Sequence, residues 1–489
     1  MSLPSLFAPT FRDRARAVAL EWACQEYTFA DLDARADRMA SALMARGLAP
    51  GDRLAIYLSN RLEYLDLFLA ATRLGVIVVP INILYREREA GHILHDASPK
   101  AVVVEGLANS DARPDLAVWQ VDDLARESAH ASAQAILPPL DAATPAALIY
   151  TSGTTGPAKG ALITHGSLAA NARNLVEAWR VTADDRLLLA LPLFHVHGLG
   201  NGVHCWLLSG CRTRLLERFE HRSAASTFLD FRPTIFFGVP TMYLRLLEIE
   251  QEAAREIGRR LRLSVSGSAP LGAQVLEEFE GHFGQRILER YGMTETLMTL
   301  SNPYDGERRA GTVGMPLPGV DVRIVDPQGV QVGDDAVGEL QVKSPTLFAG
   351  YWNRPEATAA ALRDGWFATG DLAQRSPDGY YTLCGRKSDL IISGGFNVYP
   401  REIEELLAEH PTVADVAVAG VADRLKGEVP VAFVVSRAGA PEDAELLVDY
   451  CRQRLAPFKV PREVRFVSSL PRTALGKVEK RRLVEERPY

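Results

Sequence analysis

The stretch "YTSGTTGPAKG" at residues 150–160 places hydroxyls, glycines and one lysine directly after an apolar run at 146–149. Glycines let a backbone approach an anion closely, and successive turn N–H groups can bind its oxygens. A Walker loop needs Gly-Lys followed by Ser or Thr, but here Lys159 follows Ala158 and precedes Gly160, so the second glycine and the hydroxyl are both missing. The stretch therefore predicts a phosphate-binding loop of another kind, with a plain surface turn as the alternative.

The length, charge and composition of the chain narrow the possible classes of protein. A chain of 489 residues is too long for a single core, so at least two domains are predicted. The net charge of -7 argues against a nucleic-acid partner, because such binding needs a broad basic surface. Neither a signal-peptide core nor an apolar run long enough to cross a membrane is evident, which predicts a cytoplasmic protein without an integral membrane segment.

The cysteines point to a reducing compartment. They form no Cys-x-x-Cys pair and have no histidine-rich surroundings, which disfavours a zinc site and a disulfide framework alike. We expect reduced thiols, most of them small core residues.

Apolar strand-like runs alternate with amphipathic helical segments through the first two thirds of the chain. The runs at 53–60, 76–82, 100–106 and 185–194 predict strands, whereas 28–47 has apolar residues at helical spacing and ends at a glycine. This alternation predicts an α/β fold with largely parallel sheets.

Two changes further along the chain predict smaller units. From about residue 311 the sequence has short strands separated by turn signals, which indicates a β-rich subdomain. After "GRKSDLIISGG" (385–395) a mixed α+β segment begins. We therefore predict a large domain of layered sheets and helices at 1–387 and a small domain at 388–489.

Five stretches in a fixed order now identify a family. They are "YTSGTTGPAKG", "LPLFHVHGLG" (191–200), "VSGSAPL" (265–271), "ERYGMTET" (289–296) and the set "TGD", "GRKSD" and "PRTALGK" between 369 and 477. Together they resemble the acyl-adenylate-forming superfamily. "LSNPYDG" (300–306) adds similarity to its malonyl-CoA synthetases.

The resemblance implies a two-step reaction and a mobile small domain. A carboxylate attacks the α-phosphate of ATP to give acyl-AMP and pyrophosphate, and the thiol of coenzyme A then displaces AMP. ATP, Mg²⁺ and coenzyme A are the implied cofactors. The implied partners are small molecules only, and the expected state is a monomer or homodimer.

The resemblance also assigns residues to the nucleotide. The hydroxyls and Lys159 of the first stretch grip the β and γ phosphates, Tyr291 stacks on adenine, and Asp371 binds the ribose hydroxyls. Arg386 contacts ribose or phosphate, with an interdomain salt bridge as its alternative. The full set is Thr151, Ser152, Gly153, Thr154, Thr155, Gly156, Lys159, Gly267, Ser268, Tyr291, Gly292, Met293, Asp371 and Arg386.

Four residues carry the implied chemistry. Lys477 neutralises charge between the carboxylate and the α-phosphate in the first step only. Thr294 reaches the α-phosphate and Glu295 is a hard oxygen ligand for Mg²⁺. A helix cap is the alternative for this pair. His195 orients the thiol.

The second step is expected to require rotation of the small domain about a hinge in "GRKSD". The hinge position falls on Ser388, although the family usually has Asp or Lys there, so its assignment is open by one residue. Rotation would bring "SGGFNVYPREIE" (393–404), with Gly394 and Gly395, to the thiol channel.

The acyl group is assigned through Arg290. A buried guanidinium needs an anion, and Glu289 is a poor partner because consecutive residues of an extended chain point in opposite directions. A second substrate carboxylate is predicted instead, as in malonate or methylmalonate. His197 and Ser266 are further donors and Met298 limits length. The alternatives are an outward-facing Arg290, rival roles for Arg308 and Arg309, and a core role for His197.

Three functions are compatible with these residues to different degrees. An acid:CoA ligase is preferred, for a dicarboxylate or else for a short or medium monocarboxylic acid. A stand-alone adenylation enzyme that loads a carrier protein is the second. A non-catalytic nucleotide-binding protein is disfavoured, because it has no need of Glu295, Asp371, Arg386 and Lys477 together.

Overall fold

The computed structural model describes residues 1–106, 116–132, 136–151, 158–393, 396–423, 426–473 and 476–485. In chain order, the helices of these residues are α1 Leu3–Asp13, α2 Phe29–Ala45, α3 Leu62–Leu74, α4 Glu87–Ala97, α5 Val121–His130, α6 His165–Ala178, α7 His204–Ser209, α8 Ala224–Phe231, α9 Pro240–Leu246, α10 Gln251–Gly258, α11 Ala273–Phe283, α12 Pro355–Ala361, α13 Pro400–Ala408, α14 Ala444–Arg452 and α15 Lys480–Glu485. A π-helix spans His197–Val203, and 3-10 turns span His221–Ser223 and Lys387–Asp389.

The strands up to residue 293 are β1 Val18–Trp22, β2 Gln25–Thr28, β3 Arg53–Tyr57, β4 Ile77–Pro80, β5 Ala101–Val104, β6 Ala117–Gln120, β7 Pro145–Thr151, β8 Lys159–Thr164, β9 Arg186–Leu189, β10 Arg212–Leu215, β11 Ile235–Gly238, β12 Leu263–Ser266 and β13 Leu288–Met293. The later strands are β14 Leu297–Ser301, β15 Met315–Pro316, β16 Asp321–Val325, β17 Gly338–Lys343, β18 Gly350–Tyr351, β19 Leu362–Arg363, β20 Trp366–Arg375, β21 Tyr381–Arg386, β22 Ile391–Ser393, β23 Phe396–Val398, β24 Val413–Asp423, β25 Gly427–Ser436 and β26 Glu463–Phe466.

The two larger sheets have mostly parallel strands. The first has the order β15-β14-β13-β12-β11-β9-β10-β1-β2, and its strands from β13 to β1 run parallel. The second has the order β18-β8-β7-β4-β3-β5-β6, and its strands from β7 to β6 run parallel. The predicted α/β architecture is confirmed.

The two smaller sheets follow in sequence. One has the order β16-β17-β20-β19 with β21 paired to β20, and it is the β-rich subdomain predicted after residue 311. The other has the order β23-β22-β25-β24 with β26 paired to β25, and α13 and α14 pack against it. The fold class is confirmed. The boundary between residues 387 and 388 stays a prediction, and it falls within the 3-10 turn Lys387–Asp389.

The predicted segments are longer than the elements that they identify. The helix predicted at 28–47 is α2, which begins at a capping box between Thr28 and Asp31. The strand predicted at 185–194 is wrong beyond Leu189, because the chain then turns and the His195 N–H donates to the carbonyl of Pro192. Proline has no N–H for a strand ladder, which is why the apolar run could not continue as one strand.

One apolar core joins the two larger sheets. It contains Phe29 of α2 and Phe68 of α3 between Ile56 of β3 and Leu189 of β9. In the described part of the chain, no helix combines the length and apolar character needed to span a membrane. The shared core makes a rigid base for the strand ends where the candidate site lies.

Candidate active site

A buried chain of hydrogen bonds joins three of the residues assigned to the nucleotide. The Tyr291 hydroxyl donates to Asp371 Oδ2 at 2.5 Å, and Arg386 Nε lies 2.7 Å from Asp371 Oδ1. Arg386 Nη1 donates to the Thr369 carbonyl at 3.3 Å. Burial raises the pKa of Asp371, and the Arg386 charge opposes this rise. Each Asp371 oxygen is thus oriented by a protein donor and keeps a further lone pair for a ligand hydroxyl.

A second buried carboxylate, Glu295, lies in the turn between β13 and β14. Its Oε1 accepts hydrogen bonds from the Tyr351 hydroxyl at 3.0 Å and from Thr151 Oγ1 at 3.4 Å. Burial raises the pKa of Glu295, and within the described ranges no lysine or arginine forms an ion pair with it. Lys159 Nζ lies 5.3 Å from the centre of the Tyr351 ring. A carboxylate held by neutral donors alone is suited to accept a cation.

Lys477 approaches this cluster from the small domain. A Cβ added at Gly476 would lie 3.5 Å from Thr241 Cγ2, so the loop that carries Lys477 rests against α9 of the large domain. The Lys477 side chain keeps access to solvent, but the protein atoms around it lower its pKa. The charged groups that act on it are Arg386, Asp371, Asp389 and Glu295. This orientation brings the lysine to both buried carboxylates.

Arg290 is buried on β13 with 4% of its surface exposed. Its Nε and Nη2 atoms have no hydrogen-bond partner among the described residues, nor does it form an ion pair with any of them. A Cβ added at Gly267 would lie 2.4 Å from the guanidinium carbon, so a side chain there would displace the guanidinium. Burial lowers the pKa of Arg290 to about 9. The alternative of an outward-facing Arg290 is wrong.

Two histidines lie beside Arg290. His197 is buried, its Nδ1 lies 3.1 Å from Ser268 Oγ, and its Nε2 has no partner in the described residues. Its backbone N–H donates to His195 Nδ1 at 3.1 Å. Burial and the Arg290 charge lower the pKa of His195 to about 4 and that of His197 well below its usual value. Both rings are therefore neutral at pH 7.

The remaining acyl-site residues are also buried. Ser266 Oγ has no partner in the part of the chain that the structure describes, and Met298 is 2% exposed. A Cβ added at Gly292 would lie 2.0 Å from the Leu297 carbonyl oxygen and 2.4 Å from Met298 Cε. The close approach at Gly292 therefore brings Met298 against the strand that carries Arg290.

Arg308 and Arg309, the two rivals of Arg290, bind other groups. Arg308 donates to the carbonyls of Arg286 and Tyr304, and Arg309 forms ion pairs with Asp378 at 2.7 Å and Glu307 at 2.9 Å. Because these guanidinium groups already have partners away from the pocket, their proposed rival roles are wrong.

Of the other predicted site residues, some lie within the described part of the chain and some lie outside it. Thr294 is buried beside Glu295, and both lie in a turn between strands, so the helix-cap alternative is wrong. Met293 is the last residue of β13. Ser388 lies in the 3-10 turn and its hydroxyl donates to Asp389 at 3.0 Å. The assignments of Ser152, Gly153, Thr154, Thr155, Gly156, Gly394 and Gly395 fall outside the described residues.

Two tyrosines at the site were missed from the sequence. Tyr351 supports Glu295, and buried Tyr243 interacts electrostatically with Arg290 while its hydroxyl donates to the Val265 carbonyl at 2.8 Å. Each lies in a stretch without charged or glycine-rich motifs, so only tertiary packing shows its place.

A cavity of about 500 Å³ adjoins the site. Phe194, which precedes His195, forms part of its wall together with Thr241, against which the Lys477 loop rests. Exposed Ile83 and Leu84 and the charged Arg218 and Arg245 line its remaining surface. The cavity therefore borders both the histidine segment and the surface where the two domains meet.

Comparison with known proteins identifies the relatives of this chain. A family model described as AMP-binding enzyme matches residues 7–352, and one described as AMP-binding enzyme C-terminal domain matches residues 402–477. The indoleacetate–CoA ligase of Aromatoleum aromaticum is 36% identical, with 96% of each chain covered. The malonate–CoA ligase of Arabidopsis thaliana is 37% identical, with 89% of this chain and 78% of that protein covered.

Two solved forms of one relative differ in their similarity to this structure. The ATP-bound MatB of Rhodopseudomonas palustris is 40% identical, covers 99% of both chains and superposes with a TM-score of 0.94. The apo form of the same protein gives 0.84 at the same identity and coverage. The present structure is thus closer to the ATP-bound form than to the apo form.

Proposed function

Because this chain is an acyl-CoA ligase that belongs to the AMP-binding enzyme family, we propose that it joins a short dicarboxylic acid, malonate or methylmalonate, to coenzyme A with ATP. The observation that carries the choice of acid is the buried Arg290 guanidinium with two unpartnered nitrogens. Sequence similarity does not decide this choice, since the indoleacetate and malonate ligases are 36% and 37% identical.

The surroundings of Arg290 favour an anionic substrate group. A buried charge without a partner is costly, and a carboxylate can accept two parallel hydrogen bonds from Nε and Nη2. A neutral His197 whose Nδ1 accepts from Ser268 presents Nε2–H as a third donor, and Ser266 Oγ is a fourth. Met298 sets the far wall, which suits an acid with one carbon between its carboxylates.

In the first step, the other carboxylate of the acid attacks the α-phosphate of ATP and pyrophosphate leaves. Charge builds up on the α-phosphate oxygens, and we assign its stabilisation to the Lys477 ammonium and the Thr294 hydroxyl. Asp371, oriented by Tyr291 and Arg386, is the proposed acceptor for the ribose hydroxyls. The acid and the nucleotide are thus assigned to two ends of one site, which meet at the adjacent residues Arg290 and Tyr291 of β13.

The residues present fit a magnesium ion at Glu295. This carboxylate is 5% exposed and has hydroxyl donors but no cationic partner within the described part of the chain. When bound, Mg²⁺ would neutralise phosphate charge. Tyr351 and Thr151 would then orient the carboxylate toward the phosphates.

In the second step, the thiol of coenzyme A attacks the acyl carbon and AMP leaves. The thiol has a pKa of about 8.5, so part of it is ionised at neutral pH and no protein base is required. The cavity beside Phe194 supports a thiol path past His195. Free thiols at all five cysteines support a cytoplasmic location, and a monomer or homodimer stays a prediction.

The test is a panel of acids assayed by AMP release in the presence of coenzyme A. The panel holds acetate, butyrate, malonate, methylmalonate, succinate and a coumarate-like acid. We expect malonate or methylmalonate to give the highest kcat/KM. A wild-type preference for butyrate would rule out the dicarboxylate assignment, and activity that requires an added carrier protein would favour the adenylation-enzyme alternative.

Replacement of Arg290 sharpens the same test. Arg290→Ala should lower malonate turnover by about 10² to 10³-fold, because one partner of a buried charge pair is lost, while butyrate turnover is spared or improved. Arg308→Ala is the matched control, since Arg308 donates only to backbone carbonyls outside the pocket. It should leave the malonate-to-butyrate ratio unchanged.

A further inference from the structure

Glu289 and Arg290 are neighbours on β13, but they face different surroundings. Arg290 lies against Gly267 in the proposed acyl pocket. Glu289 turns the other way, and its Oε1 accepts a hydrogen bond from the Leu271 N–H at 3.1 Å. The strand therefore places one charge toward the acid and the adjacent charge toward another part of the molecule.

Glu289 has an incomplete set of partners within the large domain. It is 2% exposed, its Oε2 has no hydrogen-bond partner among the described residues, and no cation of that part of the chain forms an ion pair with it. A buried carboxylate held by a single backbone N–H is unstable as an anion. Its stabilisation has to come from a charge on a neighbouring element.

Arg401 supplies that charge without a direct ion pair. It lies on α13 of the small domain, and α13 packs against β21 of the large domain. Arg401 is the group with the largest electrostatic effect in favour of the Glu289 carboxylate, and it is itself 9% exposed. It lies in the first turn of α13, where the helix dipole disfavours a cation. Within its own helix it pairs with Glu405, Nε to Oε1, at 2.7 Å. A buried arginine at a helix start is explained by an anion across the domain boundary.

We propose that Glu289 and Arg401 form an interdomain charge contact that holds the small domain in the orientation in which Lys477 reaches Asp371 and Glu295. Glu289 is then a positioning residue for adenylate formation, and it acts through Arg401 and not on the substrate. The proposal rests on the two-step reaction but not on the identity of the acid. Rotation of α13 away from β13 separates the two charges and ends the contact.

Burial raises the pKa of Glu289 to about 7, against the opposing effects of Arg401, the Leu271 N–H and Arg290, while Glu405 adds to the rise. Rotation of α13 would remove the Arg401 charge, which raises this pKa, and would uncover the carboxylate, which lowers it. Substitution of the two charged groups therefore tests the contact.

The two half-reactions are measured separately to test this. Pyrophosphate exchange into ATP reports the first, and thioester formation from supplied acyl-adenylate and coenzyme A reports the second, with whichever panel acid the wild type uses best. Glu289→Gln keeps the acceptor for Leu271 but removes the charge. It should slow the first half-reaction roughly tenfold and leave the second unchanged.

Variants of α13 separate an interdomain contact from a defect in the helix. Arg401→Gln should match Glu289→Gln, the double variant should be no worse than either, and Arg401→Lys should restore most of the rate. Glu405→Gln is the matched control, because it removes the pair within the helix and should leave the first half-reaction intact. Equal losses in both half-reactions, or additive effects of the two single variants, would overturn the proposal. If Arg290→Ala left the turnover of every panel acid unchanged, this would contradict only the substrate assignment.

Discussion

The two ends of the candidate site treat their charged side chains in opposite ways, although Tyr291 and Arg290 are adjacent residues of β13. At the Tyr291 end, each oxygen of Asp371 has a protein partner, and Arg386 is held by Asp371 and by a backbone carbonyl. At the Arg290 end, two guanidinium nitrogens, His197 Nε2 and Ser266 Oγ have none in the described residues. One strand thus joins a satisfied polar network to an unsatisfied one.

This difference separates binding of a common substrate from selection of a particular one. Every reaction of the enzyme uses the same nucleotide, so a network that is already oriented avoids an ordering cost on binding. The acid is recognised by groups whose hydrogen bonds only the correct ligand can complete, and buried donors left unpaired by other acids oppose their binding. We therefore expect the paired end to provide affinity and the unpaired end to provide specificity.

The largest effect is expected at the residue that joins the two ends during the first step. Lys477→Ala should lower adenylate formation by on the order of 10²-fold or more, because it removes the charge that stabilises the α-phosphate transition state. Thioester formation from supplied acyl-adenylate should stay nearly intact. Pyrophosphate exchange and thioester assays, run side by side, measure this.

Lys480→Ala is a suitable control for Lys477, since Lys480 forms an ion pair with Glu404 of the same domain. If Lys477→Ala impaired both half-reactions equally, the lysine would not act at the α-phosphate step alone and its assignment would be wrong.

The sequence predicted the parts of the site that depend on residue type within an ordered motif. Asp371, Arg386 and Lys477 are spread over more than a hundred residues, yet the structure places them in one electrostatic cluster. The burial of Arg290 was predicted correctly because a guanidinium charge needs an anion and its strand neighbour Glu289 turns the other way, toward the Leu271 N–H.

Other features could not be predicted because they depend on packing between distant segments. Tyr351 reaches Glu295 only through the pairing of β18 with β8, and the charge of Arg401 acts on Glu289 from a different domain. The strand end at Leu189 was missed because an apolar run does not show where its hydrogen bonds stop. Periodicity predicts elements well, but it carries no information on contacts between them.

The second prediction concerns a variant that disrupts the paired end alone. Asp371→Asn removes the negative charge from the network, which should raise the KM for ATP about tenfold because the ribose loses its charged acceptor. The KM for the acid should change little, in contrast to Arg290→Ala. Initial rates at varied ATP and varied malonate distinguish the two.

Asp334→Asn is the matched control for Asp371. Asp334 also pairs with an arginine, Arg375, but both side chains are well exposed, so its loss should have almost no effect. A rise in the KM for the acid as large as that for ATP would show that the two ends of the site do not act separately.

The smallest expected effect concerns the hinge, which lies two residues after Arg386 of the paired network. Ser388 lies in a 3-10 turn, whose usual φ of about −60° is close to the value that proline requires. Ser388→Pro should therefore retain the present orientation and slow thioester formation several-fold, while adenylate formation stays within about twofold.

Ser388→Ala controls for the lost hydrogen bond to Asp389. Single-turnover measurements of each half-reaction give the two rates, and because Asp371 and Arg386 both precede the turn, the KM for ATP should not change. Equal slowing of both half-reactions would place the hinge at another residue, whereas a raised KM for ATP would show that the paired network moves with the small domain.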